Sequence, residues 1–306
     1  MDINMKSYEM SREEKEYLSQ YDIRAYERPS IATDIVIFSI LNDGISDNIR
    51  KLPKKALKVL LIKRANYPYK DCWALPGGFA RPGEDIAETA RRELYEETNV
   101  KDAWLQPVGI YGRKDRDPRG WIVSNAFMAL MDGEKCSLRA GTDAWEAQWF
   151  VIEIRAQEQK RELTGDGIFI ETKYQLCLTN EENGLTLNTG LYQYKSFQNY
   201  HETIRYETEE SGGLAFDHGE IILSALLSLR SNVEKNLQTA FDLLPEMFTL
   251  TQLQNVFEIL LGRDLLAANF RRKIADYVVE TEKIAEGAGH RPAKFFKRNV
   301  EAFYRN

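Results

Sequence analysis

The chain of 306 residues carries 41 Lys plus Arg against 47 Asp plus Glu, a formal net charge of −6. That balance excludes a protein that coats nucleic acid along its whole length and leaves room for a local basic module, and the length allows two modest domains or one large one. Three widely spaced cysteines, Cys72, Cys136 and Cys177, form no disulfide framework, no apolar run approaches a membrane span, and the start MDINMKSYEMSREEKEYL is too charged for a signal peptide, so the expectation is a soluble, cytoplasmic protein.

In chain order, Ser11 with Glu14 has capping-box spacing and opens a short helix ending near Tyr21. Ile31 to Leu41 is apolar and β-branched and predicts a buried strand; residues 42–55 are loop by composition, and Leu57 to Lys63 is the next strand. Trp73-Ala74-Leu75-Pro76-Gly77-Gly78 then leads into the stretch Gly78 to Val100. Pro82 and Gly83 mark a turn, Asp85 with Glu88 predicts a helix start, and Asn99 suits the left-handed residue that ends one.

On that helix Glu93, Glu96 and Glu97 stand at i, i+3 and i+4, so they project from one face. Three carboxylates so placed repel one another unless a cation lies between them. With no His or Cys nearby, the hard oxygen donors favour Mg²⁺ or Mn²⁺. Arg92, four residues from both Glu88 and Glu96, is placed to hold a carboxylate in position, and Ala87, Ala90 and Leu94 form an apolar stripe for docking on a sheet.

Val108 to Tyr111, Trp121 to Met131 and Ala147 to Ile152 supply further strands, and one helix packed on such a mixed sheet makes an α/β sandwich. From 155 to 213 the composition changes. Ile168 to Leu178 and Leu185 to Tyr194 alternate around the hairpin signal Asn183-Gly184, which predicts a β-rich insertion or arm without chemistry of its own.

From Phe216 onward the pattern is helical. Asp217 with Glu220 reads as a capping box and Phe216 with Ile221 as its apolar staple, for a helix burying Ile222, Ala225, Leu226 and Leu229. Thr249 with Gln252 repeats the device for a helix ending at Gly262. Ala267 to Val278 follows, and then two strands around Gly287-Ala288-Gly289. This is the order of a winged helix-turn-helix. Residues 263–306 hold ten Lys plus Arg and six Asp plus Glu, so +4 sits here and −10 on the remainder. Asn269, Arg272 and Lys273, flanked by Arg271, occupy the polar face of the third helix; His290, Arg291 and Lys294 lie in the wing. Such residues read base edges and grip phosphates, so double-stranded DNA is the expected partner.

Gly78 to Val100 matches G-x5-E-x7-R-E-U-x-E-E-x-G-U, with U apolar, except that Asn99 replaces the last glycine. Matching its six retained Gly, Glu and Arg positions by chance is on the order of one in ten million per starting point. The stretch resembles the Nudix box. The pieces YERPSIATDIVIF, LLIKRANYPYKDCWALPGGF, DRDPRGWIVS, FDHGEII and FTLTQLQ to HRPAKFF make the whole layout similar to the Nudix-related transcriptional regulators of the NrtR type.

That resemblance implies a Nudix αβα sandwich (1–154), an inserted β-rich arm (155–213) and a winged helix-turn-helix DNA-binding domain (214–306). It implies cleavage of a nucleoside diphosphate linked to another group, with Glu93 and Glu97 as metal ligands, Glu96 as ligand or base, Glu84 supporting, the Gly77 carbonyl as an extra ligand and Arg92 orienting the carboxylates. ADP-ribose or a related sugar nucleotide is the implied ligand, held by Gly78, Arg81, Arg116, Asp117, Arg119 and Trp121, with Trp121 or Tyr69 stacking a base. Asp115, Asp117 and Glu146 are open alternatives for a base outside the box. The implied regulator binds operator DNA as a homodimer. Two alternatives stay open: a plain Nudix hydrolase that uses its C-terminal domain to dimerise, and a sensor without turnover.

Overall fold

The computed structural model describes residues 10–44, 55–100, 103–131, 133, 144–165, 167–241, 243–284 and 293–303. The two layers of its core are set by alternation along strand β1 (Ser30–Asn42). Ile35 and Ile37 face one side and Val36 and Phe38 the other, all fully buried. Strand β1 pairs antiparallel with β2 (Lys55–Arg64) and parallel with β6 (Ile122–Leu130), which carries β5 (Trp104–Tyr111) at its far edge. Two short strands, β3 (Trp73–Ala74) and β4 (Gly77–Phe79), pair with β2 and β1.

Helix α2 (Ile86–Thr98) covers the first face, setting Ala90 and Leu94 against Ile35, Ile37, Leu60, Phe127 and Ala129. Helix α3 (His218–Lys235) covers the second with Ile221, Ile222, Ala225, Leu226 and Leu229. Each of these fully buried Leu or Ile side chains contributes about 1.5–3 kcal/mol. The result is the αβα sandwich that the resemblance implies, but its second helix is α3, which the sequence pattern assigns to the winged domain from 214. The apolar face of Ile221, Ile222, Ala225, Leu226 and Leu229 is what the open side of the central sheet needs for cover. A short exposed helix, α1 (Arg12–Gln20), precedes it and closes its capping box between Ser11 and Glu14.

Strand β7 (Ala144–Thr164) starts beside β2 and runs through residues 154 and 155 without a break. Strands β8 (Gly167–Asn180), β9 (Leu185–Gln198) and β10 (His201–Glu210) add on in turn, giving the sheet order β10-β9-β8-β7-β2-β1-β6-β5. The arm is therefore a continuation of the central sheet. Its composition shifts near 155 because β7 loses its cover there, residues 155–163 all being exposed. The β8–β9 connection turns at Gly184 in the left-handed region (φ 63°).

The C-terminal part begins with α4 (Gln238–Phe241) and contains β11 (Met247–Thr249), α5 (Leu250–Leu261), α6 (Ala267–Ile274), β12 (Val278–Ile284), β13 (Lys294–Arg298) and α7 (Val300–Phe303). Its sheet order is β11-β13-β12, the winged arrangement. Helix α5 closes the Thr249–Gln252 capping box and ends at Gly262 (φ 67°). Helix α6 stops at Ile274, shorter than expected, because Val278 and Val279 pair with Arg298 and Lys297 in the wing sheet. Phe241 meets Phe248 and Phe257 edge-on, and Phe257 meets Phe270. These rings and α3 belong to one core that reaches back to Val36 and Phe38.

The expected cap of α3 is different in the structure. Asp217 makes no side-chain cap hydrogen bond, because its carboxylate accepts from Arg116; Glu220 accepts from Thr208 and faces Arg113. Phe216 sits on Tyr69 and His218.

Candidate functional site

The acidic helix forms as its caps dictate. Asp85 and Glu88 exchange capping bonds at its start, and Asn99 ends it in the left-handed region (φ 59°), its N–H donating to Tyr95 at 2.8 Å. The Asn that replaces the box's last glycine therefore performs the same backbone task. Glu93 and Glu97 are buried on one face, while Glu96 is exposed one turn away.

Arg92 stands at the centre of the carboxylates. It donates to both oxygens of Glu84 at 2.7 and 3.0 Å, to Glu93 at 2.5 Å, to Glu96 at 3.4 Å and to the Phe79 carbonyl at 3.1 Å. Its hydrogen bond holds Glu84 down to about 2. Burial pushes Glu93 above the ordinary carboxylate value despite Arg92. Among the described residues no three His, Cys, Asp or Glu side chains converge as a metal cage; the carboxylates gather on the guanidinium instead.

The local backbone nevertheless fits a hard cation. Gly78 lies against Glu93, where an added Cβ would come within 2.3 Å of Oε1, so the absence of a side chain keeps the carboxylate face clear. Gly77 runs at φ +154° in register with Asp34, and a Cβ there would meet the Thr33 carbonyl at 2.1 Å. Oxygen donors on a buried face beside a side-chain-free strand are the chemistry that Mg²⁺ or Mn²⁺ accepts.

The residues expected at a ligand separate into two groups. Arg81 and Arg119 are exposed, Arg81 reaching Glu96 at 3.2 Å, and Trp121 is exposed just before β6. Arg116 is instead internal. It holds Asp217 through two bonds of 2.9 and 2.7 Å and Asp34 at 3.2 Å, because its place under α3 is closed to solvent. Asp117 is also buried, and both its oxygens receive Arg119, at 3.0 and 2.7 Å. Of the open candidates for a base, Asp115 is exposed beside Arg113, Asp117 is committed to Arg119, and Glu146 receives Gln148.

Two further residues join the site: Asp34, which sequence reasoning passed over, and His218, which reads from the sequence as a helix-start or core histidine. Asp34 accepts from Ser124 at 2.5 Å and Arg116 at 3.2 Å and faces His218 Nε2 at 3.4 Å. Burial opposes its ionisation, but His218, Arg116 and Ser124 outweigh this and hold it well below the usual carboxylate range. His218 Nδ1 accepts the Leu75 N–H at 2.8 Å, which leaves Nε2 to carry the proton toward Asp34. Ile35 N–H also donates to the Pro76 carbonyl at 2.9 Å. Thus the first turn of α3 fixes the segment that delivers Gly77 and Gly78 to the acidic helix. Asp34 lay inside an apolar strand run and His218 behind an apparent helix cap, so no local spacing signalled either.

In the winged part, Asn269, Arg271, Arg272 and Lys273 are all exposed on α6, opposite buried Phe270 and Ile274. Arg272 donates to Asn269 at 3.2 Å, and Lys294 on β13 pairs with Glu280. His290, Arg291 and the turn Gly287-Ala288-Gly289 lie outside the described residues. No helix among the described residues is long and apolar enough to cross a membrane.

Comparison with known proteins agrees with this geometry. Residues 51–164 match the NUDIX domain and residues 240–297 the NrtR DNA-binding winged helix domain. The chain is 29% identical over 287 residues to the ADPR responsive transcriptional repressor NtrR of Acinetobacter baylyi, covering 93% of this chain and 88% of that one. It is 38% identical over 145 residues to the ADP-ribose pyrophosphatase of Methanocaldococcus jannaschii, covering 47% of this chain and 74% of that one. The crystal structure of Shewanella oneidensis NrtR superposes with a TM-score of 0.55 at 25% identity, covering 89% of this chain and 95% of that one. The chain therefore belongs to the Nudix family, as a Nudix domain followed by a winged helix domain of the NrtR type.

Proposed function

We propose that this chain is a nucleotide-responsive transcriptional regulator whose Nudix domain binds and hydrolyses ADP-ribose or a related sugar nucleotide, and whose winged helix binds operator DNA. The observation that carries the reading is α3. Its first turn holds the Leu75–Gly77 segment through His218, and its body lies in the core shared with α5 and α6. At 18 residues it is about 27 Å long, so one rigid element links nucleotide site and reading head. The similarity to a relative named as an ADPR responsive repressor along 93% of the chain supports the same assignment.

In this reading Glu93 and Glu97, with Glu96 and the Gly77 carbonyl, would hold Mg²⁺ or Mn²⁺, and Arg92 and Glu84 keep the ligand carboxylates in place. The ion, when bound, offsets charge on the diphosphate and lowers the pKa of an attacking water. Arg81 and Arg119 meet the diphosphate or ribose, while Arg116 and Asp117 position elements behind them. Asn269, Arg271, Arg272 and Lys273 of α6 face the DNA with Lys294 of β13. A homodimer fits this assignment, since paired half-sites about 34 Å apart require two-fold symmetry.

The deciding experiment measures operator affinity with and without ADP-ribose, alongside AMP release in the presence of Mg²⁺. A nucleotide-dependent change in operator affinity supports the regulator. Turnover without any DNA binding identifies a hydrolase whose C-terminal domain serves another purpose.

A further inference from the structure

Beyond the reach of α3 the arm keeps an apolar face without cover. Cross-strand partners set Leu163, Ile168 and Phe197 in one row and Ile170 and Ile204 in the next. Period-two alternation puts them on the face of β8 that Leu176 and Leu178 turn toward α3. Leu163 is 77% exposed, Phe197 48% and Ile204 47%, so apolar side chains adjoin one another in water, as they do where a partner docks. Tyr200, in the turn after Phe197, is 96% exposed and held at φ 65°, a left-handed position that a bulky side chain rarely takes.

The charges on the two faces of the arm differ in the same sense. On the opposite face they pair within the chain: Lys160 with Glu171 at 3.2 Å, Lys173 with Glu209 at 2.7 Å and Arg205 with Glu207 at 2.8 Å. On the apolar face Arg161 and Lys195 stand in the row of Ile170, and Glu202 in the row of Phe197. None of these three has an ion pair among the described residues. Arg161 lies on β7 at one side of the apolar rows and Glu202 on β10 at the other, so unpaired charges of opposite sign flank the patch.

We infer that this face of the arm is the surface on which a second copy of the chain docks, face to face and through the same residues on both copies. A two-fold axis that runs between the faces along the strands lays β7 over the partner's β10 and β8 over the partner's β9. Ile168 then meets the partner's Phe197, and Arg161 comes within one row, about 7 Å, of the partner's Glu202, a step that a guanidinium spans. The symmetry forms this pair twice. An apolar centre with a charged rim is the composition of a protein interface, and a rim that carries both signs at opposite sides complements itself. The choice of a second copy as occupant rests on the proposed function, whose paired half-sites need a two-fold axis.

The test is sedimentation velocity of the full chain over a concentration series. Phe197→Glu and Arg161→Glu alter exposed side chains, so the fold survives, checked by circular dichroism. Wild type is expected to be a dimer, and each variant to raise the dissociation constant of that dimer roughly thirty-fold or more. Combining Arg161→Glu with Glu202→Arg should restore the dimer, which a folding defect would not do. A wild-type dimer that both single variants leave intact, or a charge exchange that restores nothing, overturns the arm as the interface while the functional reading and its homodimer stand. A monomeric wild type overturns the second copy as occupant, leaves the face to a different partner, and removes the homodimer from the functional reading as well.

Discussion

His218 Nε2 faces Asp34 Oδ1 at 3.4 Å while its Nδ1 takes the Leu75 N–H at 2.8 Å, so a single imidazole ties α3, β1 and the approach to the acidic helix together. His218→Ala removes the partner of a buried N–H and of a buried carboxylate at once. A loss of about 1–3 kcal/mol is expected, read from urea denaturation. Because the same contact links the two functional parts, the ratio of nucleotide affinities in free and operator-bound protein should move toward one. A variant with normal stability and an unchanged ratio would remove His218 from the coupling.

Arg116 is the second tie. Replacing it by Met leaves Asp217 and Asp34 buried without their cation, which costs on the order of 3–5 kcal/mol by the usual behaviour of broken buried pairs. The measurement is thermal unfolding of Arg116→Met beside wild type. A small loss, under about 1 kcal/mol, would mean that these carboxylates reach water after all.

Glu220 makes a prediction about pH. Burial, with Asp217 adding to it, raises its pKa above the ordinary 4.5, against the pull of Arg113 and Thr208. A carboxyl raised in the folded state binds its proton more tightly than in the unfolded chain, so its contribution to stability falls as pH rises from 4.5 through the folded value. Glu220→Gln lacks this loss. The difference in melting temperature between variant and wild type should therefore shift in the variant's favour between pH 4.5 and 7.5, and a constant difference contradicts the assignment.

Glu97→Gln separates chemistry from binding. It keeps the shape of a buried side chain and removes the charge proposed to hold the cation. AMP release from ADP-ribose should fall about a hundred-fold or more, with metal-free ADP-ribose affinity kept within a few-fold. If wild type releases no AMP, the protein is a sensor, and the expected drop has nothing to act on.

Arg272→Ala with Lys273→Ala tests the reading head. Both are exposed on α6, opposite its buried Phe270 and Ile274, so the fold should survive. For each phosphate that the variant no longer neutralises, the salt slope of operator binding should fall by about 0.9. Unaltered slope and affinity would place the DNA face elsewhere on the domain.

The sequence by itself determined the elements whose reasons are local. The acidic helix was legible because its cap at Asp85, its stop at Asn99 and its i, i+3, i+4 carboxylates all lie within a few residues of one another. The hairpin at Gly184 and the start of α5 at Thr249 were legible for the same reason. Tertiary structure decided whatever depends on a partner far along the chain. Asp217 and Glu220 have capping-box spacing, yet Arg116 and Thr208 compete for their oxygens and win, because a buried guanidinium or N–H left without an acceptor costs more than an open helix start. Arg116 became internal, Asp34 and His218 became the link to α3, and Phe79 met Arg119 beside Phe216. None of these pairings has a spacing in sequence, since each is made only when the sheet brings its strands and both helices together.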